Sequence, residues 1–137
     1  MHITDWFTTL LRAAEVEPPK DRVIDGVDQL DWLTGKNPTS AREGYIYWMG
    51  QEMYGAKWRN FKLVLVAQRY LTDVPAKLAT PRLINLTLDP QEREVVALPH
   101  LHTWTVAHFN RLMGDFRASV EREPLIPAGA PLEHVPH

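Results

Sequence analysis

Apolar side chains recur at helical spacing near both ends of the chain. Phe7 follows Ile3 by four positions, and Leu10 and Leu11 follow Phe7 by three and four. This spacing predicts an N-terminal helix, which Pro18-Pro19 would end. A second stripe predicts a helix over residues 103–121 with one apolar face. Its members are Val106, Phe109, Leu112 or Met113, Phe116 and Val120.

Between the helices the pattern is typical of short strands. Apolar and aromatic runs predict strands over residues 44–49, 52–58, 61–68 and 82–88, with a hairpin turn at Arg59-Asn60. The third run is partly apolar on both faces, which favours a central strand. The predicted fold class is α+β, a small antiparallel sheet of about four strands with the C-terminal helix packed on it and an N-terminal helix.

Composition narrows the function classes. The net charge is −2, and the 15 Lys and Arg residues are scattered, so no nucleic-acid surface is expected. No apolar run reaches the roughly 18 residues that span a bilayer, so no membrane segment is expected. Residues 1–6 lack the basic and apolar regions of a signal peptide, which makes the cytoplasm the default location.

Several segments, taken in order, resemble the closing portion of arylsulfatase-type sulfatases of the alkaline-phosphatase-like superfamily. The first, residues 5–11, is similar to an Asp-x-Phe-Pro-Thr-Leu helix, with Thr8 in place of proline. The others are an Asp-Gly turn at 25–28, Arg-Glu-Gly at 42–44, a hairpin at 56–63 and an Asn-Leu-x-x-Asp-Pro-x-Glu segment at 85–92. The resemblance covers roughly residues 3–96 and implies the C-terminal region of such an enzyme.

The resemblance also implies a division of the chain. Residues 1–20 correspond to a helix at the end of the family's catalytic domain, 21–123 to its C-terminal α+β subdomain, and 124–137 form a proline-rich tail. Scaffold roles are expected for the motifs themselves. Gly26, for example, stands where a Cβ would clash in a turn.

Catalytic chemistry is missing from the sequence. The family hydrolyses sulfate esters with a formylglycine, made from the first residue of Cys/Ser-x-Pro/Ala-x-Arg, and with calcium held by Asp and Asn oxygens. The chain has no Cys, and neither Ser40 nor Ser119 begins that motif. We therefore expect no catalytic residue, metal ligand or cofactor in this chain, with formylglycine and calcium confined to the absent catalytic domain.

One basic and aromatic cluster is the candidate for substrate contact. Lys57, Arg59 and Lys62 surround Trp58 on the predicted hairpin. A hairpin with a basic rim is the structural alternative. If the subdomain borders the substrate cleft, Arg59 and Lys62 are the expected contacts with an anionic substrate.

Other functions are weighed against this one. A free-standing protein-interaction module on the same scaffold is the main alternative. Two remoter ones are a small enzyme using His100, His102 and acidic residues, and a metal site formed by His100, His102 and His108. The expected partners are a sulfatase catalytic domain or a second copy of the chain. Both would use the apolar face of the N-terminal helix, formed by Ile3, Trp6, Phe7, Leu10 and Leu11.

Overall fold

The computed structural model describes residues 1–21, 23–50, 52–68, 70, 72–93, 102–124 and 129. It contains two compact units, Met1–Glu43 and Gly44–His137. Its elements are α1 (Asp5–Ala13), α2 (Leu30–Leu33), β1 (Gly44–Met49), β2 (Glu52–Trp58), β3 (Phe61–Ala67), β4 (Ala76–Asn85) and α3 (Trp104–Arg122). The predicted α+β class, with a four-stranded sheet and a helix at each end, is confirmed. None of the described helices has the length and apolarity needed to cross a membrane.

Helix α1 packs its polar side inward within the first unit. Asp5 and Thr9 are buried, whereas Trp6, Phe7 and Leu10 are exposed. In the last turn of α1, Arg12 contacts Asp28 and lies 3.0 Å from a carboxylate oxygen of Asp31 in α2. The first unit is thus organised by polar contacts, and the apolar side of its main helix remains at the surface.

The end of α1 falls earlier than the sequence suggested. Glu15 has a φ of 58°, and the Glu15 and Val16 N–H groups donate to the Arg12 and Leu11 carbonyls. This is the Schellman pattern of helix termination, in which a left-handed residue redirects the chain and satisfies the last carbonyls. The helix therefore ends before Pro18-Pro19 is reached.

The four strands form an antiparallel sheet in the order β1-β2-β3-β4. β2 and β3 meet at the predicted two-residue turn, with Trp58 opposite Phe61. β1 and β2 shift register after Tyr47, which pairs with Gly55, while Trp48 pairs with Met53. Tyr54 is the extra residue at this irregularity, and such bulges re-aim side chains.

The boundaries of β4 correct the predicted fourth strand, residues 82–88. The strand begins at Ala76, and a break in register between Val64 and Val66 of β3 accommodates Pro81 on this edge strand. It ends at Asn85, whose carbonyl accepts hydrogen bonds from the Leu88 and Asp89 N–H groups. A turn thus replaces the predicted last three residues.

Helix α3 covers one face of the sheet and completes the core of the second unit. Phe109 is 1% exposed and clusters with Ala56, Trp58 and Leu83. The predicted inclusion of Val106 in the buried stripe is wrong, because Val106 is 51% exposed. The first helical turn instead buries Thr105, whose hydroxyl donates to the His102 carbonyl at 2.7 Å.

Candidate functional site

Arg59 lies in the β2–β3 turn against an aromatic ring. Its guanidinium carbon is 4.9 Å from the centre of the Trp58 ring. The Lys57 ammonium donates to the Arg59 carbonyl, and Arg59 has a φ of 48°. Both contacts hold the turn in shape, as the alternative of a hairpin with a basic rim requires.

Lys62 lies on the sheet face opposite α3, which we call the open face. Its ammonium is 4.9 Å from the centre of the Tyr47 ring and pairs with the Glu92 carboxylate. Trp58 belongs to the core under α3, whereas Tyr47 lines the open face. The two predicted substrate contacts therefore rest on rings of opposite faces.

A pair of tyrosines adjoins Lys62 on the open face. The Tyr47 hydroxyl donates to the Tyr45 hydroxyl at 3.1 Å, and the ring centres are 4.9 Å apart. Burial, this hydrogen bond and the charge of Glu92 raise the pKa of Tyr47 above its ordinary value. Tyr47 therefore stays neutral over the physiological range and keeps its proton for donation.

The open face encloses a concave space of about 970 Å³. Val64, Val66 and Ile84 form its apolar part, and Arg82 and Arg93 add guanidinium groups to its lining. We call this space the open-face cavity. Sequence analysis did not single out its two arginines. The available signal was the alternation of Arg82 and Ile84 in one strand, which places both on one face.

A buried ion pair organises the first unit. Asp5 is fully buried, and one of its carboxylate oxygens lies 2.6 Å from the Arg42 guanidinium. The same carboxylate accepts hydrogen bonds from the Val27 N–H at 3.0 Å and from the His2 N–H at 2.7 Å. Arg42 also donates to the Asp25 carbonyl at 2.6 Å.

These contacts explain three of the family-like segments together. The carboxylate of Asp5 contacts Arg42 and the Asp25–Asp28 turn, and each of the three comes from a separate motif. Gly26 completes the arrangement, since a Cβ there would stand 2.4 Å from the Thr4 carbonyl oxygen. The expected scaffold role of Gly26 is confirmed, and the signal for Asp5 and Arg42 was their place in the motifs rather than their chemistry.

The histidine alternative finds no metal geometry in the described part of the chain. The His108 ring stacks on Trp58 with centres 4.0 Å apart and planes inclined by 8°. The His102 ring lies 5.5 Å from Phe61. His100 lies outside the described residues, among which no group of three or more His, Asp or Glu side chains is placed to hold a metal ion.

Both serines donate hydrogen bonds to protein acceptors. Ser40 donates to the Gln29 side-chain oxygen at 2.8 Å, and Ser119 donates to the Phe116 carbonyl at 2.7 Å. Ser40 thereby helps to fix the loop before β1, while Ser119 bonds back within α3. Each contact is a local structural one.

Comparison of the chain with known proteins finds similarity to sulfatases. The chain is 36% identical over 58 residues to human arylsulfatase D, a match that covers 42% of this chain and 10% of that protein. No family model matches the chain.

Solved structures extend the similarity to most of the chain. The PsFucS1 sulfatase from Pseudoalteromonas sp. superposes with a TM-score of 0.77 at 23% identity, covering 90% of this chain and 26% of that one. A sulfatase structure from Bacteroides thetaiotaomicron, solved in work on the metabolism of multiple glycosaminoglycans, gives a TM-score of 0.57 at 21% identity over 83% of this chain and 24% of its own. The chain thus spans about a quarter of each of these two structures and 10% of arylsulfatase D. The resemblance to sulfatases is confirmed.

Proposed function

We propose that the chain is the C-terminal subdomain of an arylsulfatase-type sulfatase, that it borders the substrate cleft and that it is inactive alone. The observation that carries the proposal is the superposition on the PsFucS1 sulfatase. It uses 90% of this chain but only 26% of the sulfatase. Near-complete coverage of this chain and partial coverage of the sulfatase are what we expect for a subdomain of a larger enzyme.

The sequence supports inactivity of the isolated chain. It contains no Cys, and its two serines, Ser40 and Ser119, do not begin a formylglycine motif. Both hydroxyls also donate to protein acceptors in the structure. Formylglycine and calcium chemistry would therefore have to come from a catalytic domain outside these 137 residues.

The role at the cleft assigns substrate contact to the basic side chains of the hairpin region. Lys62 keeps a cation on the open face, where Tyr47 supports its ammonium and Glu92 is the ion-pair partner that an anionic substrate would replace. Arg59 presents a second cation at the turn, with its guanidinium carbon 4.9 Å from the centre of the Trp58 ring. Cations held by rings in this way are pre-positioned for an anionic group, which lowers the entropy lost on binding.

The partner surface in this proposal is the apolar side of α1. Ile3, Phe7 and Leu10 are 76%, 50% and 58% exposed, with Trp6 beside them at 45%. Grouped apolar side chains of this kind mark interaction surfaces. A catalytic domain is the occupant we assign, because the chain matches only a quarter of the sulfatase it superposes on.

The test is hydrolysis of p-nitrophenyl sulfate in the presence of calcium. The chain is assayed alone and after mixing with a separately expressed catalytic domain of an arylsulfatase-type sulfatase, and that catalytic chain is assayed alone. We expect no turnover by the 137-residue chain and more turnover in the mixture than by the catalytic chain. Turnover by the isolated chain would overturn the proposal.

Variants refine the same assay. Arg59→Gln and Lys62→Gln are expected to raise KM of the mixture several-fold with little change in kcat, because they remove ground-state charge contacts. Arg111→Gln, an exposed α3 substitution that also removes one positive charge, serves as the matched control. Equal effects of all three substitutions would point to net charge rather than contact.

The alternative is an interaction module that needs no catalytic partner, and the exposed side of α1 is compatible with it. The two candidates differ in one readout. A module would leave turnover of the catalytic chain unchanged in the mixture, whereas the subdomain would raise it.

A further inference from the structure

The first unit has a polar interior. Its buried side chains are those of Asp5, Thr9 and Gln29, each at most 2% exposed. Apolar side chains such as Leu11 and Leu30 are only half-buried there, and the buried apolar side chains of the described residues all belong to the second unit. Burial of apolar surface is the dominant favourable term in folding. The first unit therefore obtains little of that term from its own residues.

Both helices of the first unit carry large apolar side chains at the surface. In α1, Trp6, Phe7 and Leu10 are 45%, 50% and 58% exposed. In α2, which contacts α1, Trp32 and Leu33 are 36% and 46% exposed. Single exposed apolar residues are ordinary, whereas a group of them marks a surface that another molecule covers. The apolar surface that could stabilise this unit therefore lies where a partner can reach it.

The polar interior also contains a hydrogen-bond donor without an acceptor. The Gln29 side-chain oxygen accepts from the Ser40 hydroxyl at 2.8 Å and from the Ala41 N–H at 3.2 Å. The Gln29 side-chain nitrogen is buried and has no hydrogen-bond partner in the part of the chain that the structure describes. Exchanging the two amide atoms would set an NH2 group against the Ala41 N–H, which is also a donor. A buried donor without an acceptor lowers the stability of the first unit.

The small size of the first unit leaves few means of compensation. It comprises residues 1–43, and chains of roughly 40 residues or fewer usually need disulfides, metals or association to fold. The sequence contains no cysteine. Among the described residues, no group of His, Asp or Glu side chains is placed to hold a metal ion. Association is the means that remains.

We propose that the first unit is completed by its partner: a catalytic domain that covers α1 and α2 supplies the apolar burial that the unit lacks, so docking and stabilisation are one event. This inference rests on the proposed function, which names the catalytic domain, and adds that the stability of the first unit depends on that domain. A partner that binds only the folded form of a unit shifts its folding equilibrium by mass action. The second unit, with Phe109 and its apolar neighbours as a core, needs no such cover.

The choice of occupant rests on the comparison with the PsFucS1 sulfatase and on charge. That sulfatase superposes on 90% of this chain with 26% of its own length, so most of it has no counterpart here. Residues 1–43 contain eight Asp and Glu against five Lys and Arg. Two first units therefore repel each other through their net negative charge. A second copy is for this reason a poorer cover than the catalytic domain.

The first test is hydrogen exchange of the isolated 137-residue chain, at a concentration where light scattering gives the monomer mass. The Val27 and Gln29 amides donate to the Asp5 carboxylate and the Thr9 hydroxyl at 3.0 Å, so their exchange reports opening of the first unit. We expect these two amides to be protected at least about tenfold less than the amide of Phe109 in α3, because regions with few buried apolar contacts open more readily. Comparable protection of all three amides would overturn the proposal.

The second test adds a separately expressed catalytic domain of an arylsulfatase-type sulfatase, up to about 100 times the Kd of the mixture. Protection of the Val27 and Gln29 amides is expected to rise about 100-fold, the factor that mass action gives at this concentration. Higher turnover in the mixture without this rise would overturn the inference and leave the proposed function standing. No binding and no turnover gain would overturn both. An equal rise on concentrating the chain alone would also overturn the inference, because a second copy would then be the cover.

Leu10→Lys separates the effect of the cover from the stability of the unit itself. Because Leu10 is 58% exposed, this variant is expected to keep the Val27 protection of the isolated chain within about twofold. It is expected to lose the rise given by the catalytic domain, since an unpaired charge is costly to bury. Asn110→Lys, with the same added charge on the exposed surface of α3, is expected to keep the rise. Equal losses of the rise in both variants would contradict the assignment of α1 to the covered surface.

Discussion

Asp5 is the residue that links several segments of the first unit through hydrogen bonds. Its carboxylate has no exposed surface and joins Arg42 to the N–H groups of His2 and Val27. Burial alone opposes its ionisation, but the hydrogen bonds from Arg42, Val27 and His2 outweigh burial and hold the pKa of Asp5 below its ordinary value. The carboxylate is therefore charged in the folded protein at neutral pH.

Replacing Asp5 by Asn is expected to destabilise the first unit by about 3 kcal/mol at pH 7, because Arg42 loses its buried partner. In the wild type, the folded pKa lies below the unfolded value of about 3.9. The stability from ionised Asp5 is thus fully present above that value and is lost as pH falls through the folded pKa. Hydrogen exchange of the Val27 amide as a function of pH measures both effects.

Asp115→Asn is the control for that measurement, since Asp115 is an exposed residue whose pair with Arg111 spans 3.8 Å. Its effect is expected to stay within about 0.5 kcal/mol. A Val27 amide equally protected in wild type and Asp5→Asn, at pH 7 and below pH 4 alike, would contradict the role given to Asp5.

Residue-level prediction succeeded where a local rule applied and failed where partners were distant in sequence. The need for glycine at position 26 was predictable, because a side chain there would clash within a turn. The burial of Asp5 depends on Arg42, 37 residues away, which no local pattern connects to it. Likewise, Arg82 joins Arg93 at the open-face cavity only after β4 and its turn have formed.

At the level of elements, α3 shows which helical positions stabilise the sheet. Phe109 is 1% exposed against the core, whereas Val106, three residues earlier, is 51% exposed. Phe109→Ala is expected to lower the free energy of unfolding by about 3 to 5 kcal/mol through loss of burial and creation of a cavity. Urea unfolding followed by near-ultraviolet circular dichroism measures the change.

Val106→Ala is the matched truncation on the same helix. It is expected to change the free energy of unfolding by less than about 0.5 kcal/mol, because exposed substitutions away from special features have small effects. Comparable losses for both variants would restore Val106 to the buried stripe that periodicity predicted.

The elements themselves were largely predictable, and their ends were less so. Alternation and aromatic content located β1, β2 and β3, and the turn at Arg59-Asn60 followed from the pairing they require. The start of β4 was missed because Pro81 resembles a strand breaker, while the edge position and register break that tolerate it are tertiary features. The exposure of Val106 depends on the rotation of α3 about its own axis relative to the sheet. The spacing of apolar residues does not determine that rotation to within one position.

For the whole molecule, the apolar side of α1 predicts how the isolated chain behaves in solution. Exposed Phe7 and Leu10 favour association of copies when no other partner covers them. Light scattering is expected to show an apparent mass that rises with protein concentration. Leu10→Lys is expected to keep the chain at the monomer mass, because a charge cannot be buried unpaired in an apolar contact.

Asn110→Lys adds the same charge at an exposed position of α3 and is expected to leave the association unchanged. A wild-type chain that remains at the monomer mass at millimolar concentration (around or above the Kd of a weak contact) would show that α1 does not drive association. Loss of association in both variants would assign the effect to general charge repulsion.

The strand order has a consequence for how this part of the chain acquires its structure. Every strand pairs with its neighbour in sequence, so β1 to β4 form one meander between residues 44 and 85. Connections this short close at a small cost in chain entropy and favour rapid folding. Sheet formation therefore needs only a contiguous stretch of some 40 residues, and a ribosome that has released that stretch has supplied every strand of the meander.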